Sequence, residues 1–189
     1  YHIVLAIMVV LSAALLLYFS GCPFGKMRGG AAIDSNLEAA LREHLGKRWG
    51  ALTVEDWAGL KKVEFPGCSI ERLAGFEHAV NLRELNLRNN EIEDPAPLGE
   101  LPRLKYLNLA DNKIKDISGL NGAVLNGLAH LDVSINRIDD LSALDWDELK
   151  ALTHLDIRYN YIDLQDREVA ELLSDLRSRG VNVLSEPMY

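Results

Sequence analysis

Two His-x-Asp triplets are the residues of this chain best suited to chemistry. The triplets are His130-x-Asp132 and His154-x-Asp156, and they lie 24 residues apart. Imidazole nitrogens and carboxylate oxygens bind zinc and other divalent ions, so these four side chains form a candidate metal site if they share one face. The alternative is an ordinary polar surface, and it is favoured because two histidines carry little specificity. We therefore expect no metal and no other cofactor.

Other catalytic patterns are missing from the sequence. It contains no G-x-S-x-G, no phosphate-binding glycine loop and no H-E-x-x-H, and its isolated acids show no pairing typical of glycoside hydrolysis. There are two cysteines, Cys22 and Cys68, which is too few for a disulfide framework. We predict a protein that is not an enzyme. The alternative is that this region is the accessory part of a longer enzyme.

An uncharged segment, Ile3–Phe19, begins the chain and is followed by Ser-Gly-Cys22. Its 17 residues fall short of the about 20 that span a bilayer and exceed the apolar core of a signal peptide. Small residues before a cysteine resemble the lipobox of bacterial lipoproteins, which implies lipidation of Cys22. An uncleaved membrane helix and a plain export signal are the alternatives. Each of the three places the folded part outside the cytoplasm. Since the chain begins with Tyr1, we expect its true start to be missing.

The charge distribution argues against a nucleic-acid partner. The net charge is −8, and Lys26 and Arg28 are the only charged residues before Asp34, so residues 34–189 carry −8 − 2 = −10. Phosphate binding requires a cluster of Lys and Arg, and no such cluster stands out along the chain. Residues 22–33 contain three glycines and no periodicity, and we interpret them as the lipidated cysteine and a flexible tether.

A repeated pattern, LxxLxLxxNxI, occupies most of the remaining chain. Its five copies are spaced by 22, 22, 24 and 24 residues and begin at Leu60, Leu82, Leu104, Leu128 and Leu152. The L-x-L core alternates with period two, which predicts a short strand with one buried face. A single copy cannot bury that face alone, so stacked copies should build a parallel sheet over a leucine core. The longer spacings should enlarge only the return segments near Gly122 and Asp145.

The ninth place of the repeat is asparagine in the last four copies. A buried amide there can satisfy backbone groups of neighbouring turns, which predicts a structural ladder. Its members are Asn90, Asn112, Asn136 and Asn160. Cys68 takes this place in the first copy, where we interpret it as a small buried residue rather than a reactive thiol.

These copies resemble leucine-rich repeats, and the 22-residue rhythm with I-x-D resembles the short bacterial, internalin-like subtype. The resemblance covers roughly residues 34–189 and includes the helical lead-in SNLEAALREHLGK, which is similar to that of secreted bacterial repeat proteins. It implies an α/β leucine-rich-repeat solenoid with a short-stranded parallel sheet and helical caps. Five repeats are expected in residues 60–163, with residues 1–21 as signal peptide or membrane helix.

Both solenoid ends need a cap, since an end repeat exposes core. For the first cap, residues 34–59, Ser35-x-x-Glu38 predicts a capping box, and Thr53-x-x-Asp56 opens a second turn whose Trp57 should cover the first repeat. For the second cap, residues 164–189, a helix over Asp166–Arg179 and a possible edge strand are expected. The alternative is that this helix binds a partner.

The variable places of the repeat predict the binding surface. Third-, fifth-, seventh- and eighth-place side chains should lie on the concave face of the sheet, with Tyr106, Ile135 and Tyr159 as apolar anchors. The candidate partner-binding residues are Lys62, Glu64, Glu84, Asn86, Arg88, Tyr106, Asn108, His130, Asp132, His154, Asp156, Arg158 and Tyr159. The predicted function is an envelope-anchored binding module for a protein or peptide, held at the membrane by its amino-terminal lipid or helix. The alternative is an envelope scaffold without a dedicated ligand.

Overall fold

A six-stranded parallel sheet organises the part of the chain that the computed structural model describes, residues 33–120 and 123–186. The strands follow one another in chain order and are β1 Lys62–Glu64, β2 Glu84–Asn86, β3 Tyr106–Asn108, β4 His130–Asp132, β5 His154–Asp156 and β6 Asn182–Leu184. The amino-terminal apolar segment and Cys22 lie outside the described residues, so the lipidation hypothesis stays a prediction. Within the described ranges, no helix has both the length and the apolarity needed to cross a bilayer.

The strand register confirms the repeat alignment. Each of the first five strands occupies the third to fifth places of one copy, and equivalent places pair across every neighbouring strand. The fourth-place side chains are all buried, as period-two alternation requires, and they are Val63, Leu85, Leu107, Leu131 and Leu155. Burying one such side chain stabilises the fold by about 1.5–3 kcal/mol. The predicted fold class, a solenoid with a short-stranded parallel sheet, is confirmed.

Short 3-10 turns form the return segments opposite the sheet. They span Phe76–His78, Ala96–Leu98, Ser118–Leu120 and Ala123–Gly127. Successive turns touch so closely that a Cβ added to Gly99 would lie 2.2 Å from the carbonyl oxygen of Gly119. The two 24-residue spacings leave the pairing of β3, β4 and β5 intact. In the last return segment the buried Trp146 donates from Nε1 to the Leu141 carbonyl at 2.8 Å.

The asparagine ladder is present and carries a repeating set of hydrogen bonds. Asn112 donates from Nδ2 to Leu87 O at 3.0 Å and Leu109 O at 2.9 Å, and its Oδ1 accepts from Ile92 N at 3.0 Å. The same pattern recurs at Asn90 and Asn136, one turn away on either side, and at Asn160, two turns away. Each amide therefore joins two adjacent turns and satisfies backbone groups that water does not reach. This prediction is confirmed.

The first cap begins with helix α1, Ser35–His44, and its N-cap corrects the sequence prediction. The N-cap is Asp34, whose Oδ1 accepts from Asn36 N at 2.9 Å and Leu37 N at 3.1 Å, so the expected Ser35–Glu38 capping box is wrong. The other oxygen, Oδ2, accepts from the backbone of Glu71 at 3.2 Å and Arg72 at 3.3 Å. One carboxylate thus caps α1 and fixes the cap to the first repeat, which explains why aspartate takes this place.

The same cap compensates for the missing asparagine of the first copy. Cys68 is buried, with its Sγ 3.8 Å from the Pro66 carbonyl oxygen, and a thiol cannot bridge turns as an amide does. The amide of Asn36 instead donates to the Ser69 carbonyl at 2.7 Å. The interpretation of Cys68 as a buried structural residue agrees with this placement.

Helix α2, Val54–Ala58, completes the first cap. The predicted second turn opens at Thr53, which forms a capping box with Asp56, and it places Trp57 against the first return segment. The indole is buried and meets Phe76 edge to face, with ring centroids 5.4 Å apart. Gly75 lies under the indole with a φ of 108°, and a Cβ at this residue would come within 2.5 Å of the ring. The predicted role of Trp57 as a cover is confirmed.

The second cap consists of helix α3, Arg167–Ser178, and strand β6. Asp166 is the N-cap, and Gly180, with a φ of 86°, reverses the chain into β6, which pairs with β5. Leu173 and Leu176 are buried against the core. The helix therefore covers the open end of the solenoid. Its buried leucines pack against the core and are not exposed to a partner.

Candidate functional site

The third-place side chains form one continuous row across the sheet. The register places them side by side in the order Lys62, Glu84, Tyr106, His130, His154 and Asn182. Adjacent parallel strands lie about 4.8 Å apart, so neighbours in the row are in contact distance. The structure thus brings together the five third-place residues that the sequence predicted for the concave face and adds Asn182 from β6.

Three aromatic rings stack in the middle of this row. The Tyr106 and His130 centroids are 4.5 Å apart with an interplanar angle of 15°, and the His130 and His154 centroids are 4.3 Å apart at 7°. Burial lowers the pKa of His130 below its ordinary value, and the neighbouring His154 lowers it further, against the opposing charges of Asp132 and Asp156. The middle of the row therefore offers a stacked aromatic surface in which the charged form of His130 is disfavoured.

The amino-terminal end of the row is ionic. Lys62 Nζ lies 3.0 Å from a Glu64 oxygen and 3.2 Å from a Glu84 oxygen, and these two carboxylates raise the pKa of Lys62. A depression of about 260 Å³ lies over these residues and reaches Tyr106. An ionic group and an aromatic ring thus border the same hollow.

The fifth-place residues bind their own backbone. In four successive copies the side-chain Oδ1 of the fifth-place residue accepts a hydrogen bond from the backbone N–H two residues later, at 2.9–3.1 Å. The residues are Asn86, Asn108, Asp132 and Asp156. A short polar side chain at this place therefore ends the strand with an Asx turn. Their predicted role in partner binding stays a prediction, and the structure gives each of them a structural role as well.

Asp156 and Arg158 form the strongest ion pair on this face. The guanidinium approaches the carboxylate with two nitrogens, Nη2 at 2.7 Å from Oδ2 and Nε at 3.0 Å from Oδ1. Asp156 is buried, and its charge holds the pKa of Arg158 above its ordinary value. Arg158 is thereby committed to its own strand, whereas Arg88, at the same place in the second copy, is exposed.

The metal hypothesis gains no support from this geometry. The His130 and His154 rings face each other, Asp132 Oδ1 accepts from the Ser134 hydroxyl at 2.7 Å, and Asp156 is bound by Arg158. Across residues 33–120 and 123–186, no group of three or more His, Cys, Asp or Glu side chains is arranged to hold a metal ion. The ordinary-surface interpretation of the two triplets is retained.

The eighth place of each copy adopts a left-handed backbone. The φ values lie between 54° and 68°, and the residues are Gly67, Asn89, Asp111, Ile135 and Tyr159. Glycine, asparagine and aspartate tolerate this region, whereas a β-branched residue is strained there. Ile135 and Tyr159 are nevertheless 37% and 39% exposed beside the row. The left-handed backbone therefore does not explain why isoleucine and tyrosine stand at these two places.

A basic edge was missed by the sequence analysis. We use this name for Lys61, Arg83, Arg103 and Lys105. The second-place residues Lys61, Arg83 and Lys105 directly precede β1, β2 and β3, and the backbone N–H groups of Arg83 and Lys105 donate to the Lys61 and Arg83 carbonyls at 2.9 Å. Arg103 lies with Arg83 and Lys105 around a hollow of about 250 Å³. The second place of the first three aligned copies is basic each time, and this could have predicted the edge. A search for basic residues that are close in sequence does not find it.

Comparison with known families identifies the repeats. The family model described as "Leucine Rich repeats (2 copies)" matches residues 80–122, and the model described as "Leucine rich repeat" matches residues 102–162. Neither is a catalytic family. No curated protein sequence matches the chain at a significant level. The chain therefore contains leucine-rich repeats, and such domains typically serve as protein-interaction modules.

Two solved structures show the same fold. An internalin (inlF) from Listeria monocytogenes is 29% identical, with a TM-score of 0.66 over 82% of this chain and 43% of that one. An internalin C2 from the same organism is 22% identical, with a TM-score of 0.58 over 81% of this chain and 74% of that one. The chain thus spans less than half of the first internalin. These neighbours show that the chain shares the repeat fold of internalins.

Proposed function

We propose that this protein is an envelope-anchored binding module whose concave face holds a protein or peptide. The observation that carries the proposal is the row Tyr106, His130 and His154, in which three rings stack into one surface. Aromatic side chains contribute large contact areas at little entropic cost, and they are enriched at protein interfaces. An aromatic strip between polar flanks is suited to a partner with both apolar and polar groups.

The exposed residues at the eighth place support the same surface. Ile135 and Tyr159 lie in a left-handed backbone region at φ values of 54° and 58°. Such strain costs on the order of 1–3 kcal/mol and is found most often at functional sites. Asparagine would fit the backbone better at both places, so the presence of two large side chains here supports a contact role.

Anchoring is proposed from the sequence of residues 1–33. The uncharged segment followed by Ser-Gly-Cys22 favours export and lipidation at Cys22, which places the repeats outside the cytoplasm in a bacterial envelope. Mass spectrometry of the mature amino terminus tests this part. A diacylated Cys22 at the first position is expected, and an unmodified chain that retains the apolar segment would replace the lipid anchor by a membrane helix.

The binding proposal is tested by crosslinking capture from an envelope extract. The full chain is compared with a Tyr106→Ala, Tyr159→Ala double variant and with Tyr161→Ala, which removes a tyrosine that is 60% exposed at the tenth place of the last copy. Capture of a defined partner should be lost in the double variant and retained in Tyr161→Ala. Equal capture by all three proteins would refute binding through the concave face and leave the scaffold interpretation.

A further inference from the structure

The basic edge is the part of the surface that the concave-face proposal does not use. Its four cations belong to the first three repeats and lie at the amino-terminal ends of β1, β2 and β3, beside the row that contains Tyr106. Lys61, Arg83, Arg103 and Lys105 are all exposed. Since neighbouring strands are about 4.8 Å apart, Lys61 and Lys105 are separated by about 10 Å along the edge.

These cations are not neutralised by carboxylates of the described residues. Within residues 33–120 and 123–186, none of the four forms an ion pair with a carboxylate. Lys62, the residue after Lys61, forms two ion pairs. Arg103 is held in place by a neutral group, because its Nη1 donates to Asn81 Oδ1 at 2.8 Å. Asn81 is itself fixed by donation to the Ala58 carbonyl at 2.8 Å. A guanidinium is thus oriented without being neutralised.

The surrounding charge limits what can bind there. Residues 34–189 carry −10, as derived above, and Glu64 and Glu84 lie on the adjoining concave face. A long uniform polyanion, such as a nucleic acid or a sulfated polysaccharide, would meet these acids beyond the edge. A short run of carboxylates would not, because alternate side chains of an extended peptide repeat every 6.6–7 Å or so, within the length of the edge.

We infer that the partner presents a short acidic peptide segment to the basic edge while its adjoining apolar residues contact the Tyr106–His130–His154 row. This inference rests on the proposed function and specifies the chemistry of its partner. The Glu64–Lys62–Glu84 cluster occupies the first two strands of the concave face and disfavours a second acidic segment there. Carboxylate recognition by exposed Lys and Arg is expected to weaken with ionic strength.

The test uses a fluorescein-labelled peptide that contains a run of glutamates and one flanking phenylalanine, with fluorescence anisotropy as the readout. The full chain should bind it, and binding should weaken as NaCl rises from about 50 to about 300 mM. The Arg83→Glu, Lys105→Glu variant should bind at least about tenfold more weakly. A neutral Arg83→Ala, Lys105→Ala variant should show the same direction, and equal unfolding midpoints will establish that both are folded.

The control reverses two exposed cations elsewhere, Arg72→Glu and Arg137→Glu, and so changes the net charge equally. Its affinity should stay within about twofold of the parent chain. No binding of the peptide, or equal losses in both charge-reversed variants, would overturn the inference. Tighter binding of a single-stranded DNA or heparin fragment, lost in the same variant, would overturn it in favour of a polyanion. The proposed function has its own test: it fails if the Tyr106→Ala, Tyr159→Ala variant captures the partner as well as the parent chain does.

Discussion

The imidazole rings of His130 and His154 lie face to face, 4.3 Å apart and within 7° of parallel. Two neutral rings at this distance attract each other, whereas two imidazolium ions would repel by on the order of 4 kcal/mol at an effective dielectric constant of about 20. The facing groups are Tyr106 on one side and Asn182 on the other, with Asp132 and Asp156 alongside. Burial and the neighbouring His154 accordingly lower the pKa of His130.

Acidification should weaken the fold through His130. Its pKa is lowered in the folded protein, so between that value and about 6.5 the unfolded chain binds more protons. The stability contributed by the neutral ring is complete above about pH 6.5 and decreases as pH falls toward the folded-state pKa. We expect the urea midpoint to fall between pH 7.5 and about 5.5, and His130→Gln to reduce this dependence.

The matched control is His78→Gln, which removes a histidine outside the row. It should leave the pH dependence near that of the parent chain. An NMR titration of the His130 ring gives the direct measure, and a midpoint at or above 6.5 would contradict the assignment of burial as the main influence.

The asparagine ladder should contribute strongly to stability. Asn112→Ala removes hydrogen bonds to Leu87 and Leu109 and leaves the Ile92 N–H without its acceptor inside the core. Buried groups left unsatisfied cost about 1–3 kcal/mol each, so a loss of about 3 kcal/mol is expected in urea unfolding. Asn108→Ala, at the half-buried fifth place, breaks one bond to Ala110 and should cost about 1 kcal/mol. Equal losses would show that the ladder has no special role.

Sequence periodicity predicted the features that every repeat shares. Alternation determined the buried fourth place, and the aligned ninth place gave the ladder, because both depend on residue type at fixed spacing. The predicted capping box of α1 was wrong because Asp34, the actual N-cap, also accepts from the distant Arg72 N–H. No local motif encodes that contact. The basic edge was missed because Arg83 becomes the neighbour of both Lys61 and Lys105 only through strand register.

Relief of backbone strain should separate stability from binding at the eighth place. Ile135→Asn replaces a β-branched residue at a φ of 54° by the type found at Asn89, where φ is 57°. We expect the free energy of unfolding to rise by about 1 kcal/mol, while partner capture decreases. Asn89→Ile should have the opposite effect on stability. A clear loss of stability in Ile135→Asn would argue that Ile135 is retained for packing alone.

The Asp156–Arg158 ion pair should contribute more to stability than the equivalent arginine of the second copy, Arg88. Arg158→Ala leaves the buried Asp156 without its bidentate cation, whereas Arg88→Ala removes an exposed side chain at the same place of the second copy, where the fifth residue is the uncharged Asn86. Thermal unfolding should show a loss on the order of 1 kcal/mol for Arg158→Ala and a smaller one for Arg88→Ala. Indistinguishable melting temperatures would mean that solvent screens the pair fully.

Site-specific photocrosslinking tests the central claim most directly. A benzophenone amino acid is placed at Tyr106, in the middle of the concave face, or at Tyr161, a tenth-place tyrosine that is 60% exposed, and the full chain is irradiated in an envelope extract. If the concave face is the binding surface, a discrete protein adduct should form from Tyr106 and not from Tyr161. Adducts of equal yield from both positions, or from Tyr161 alone, would contradict the account.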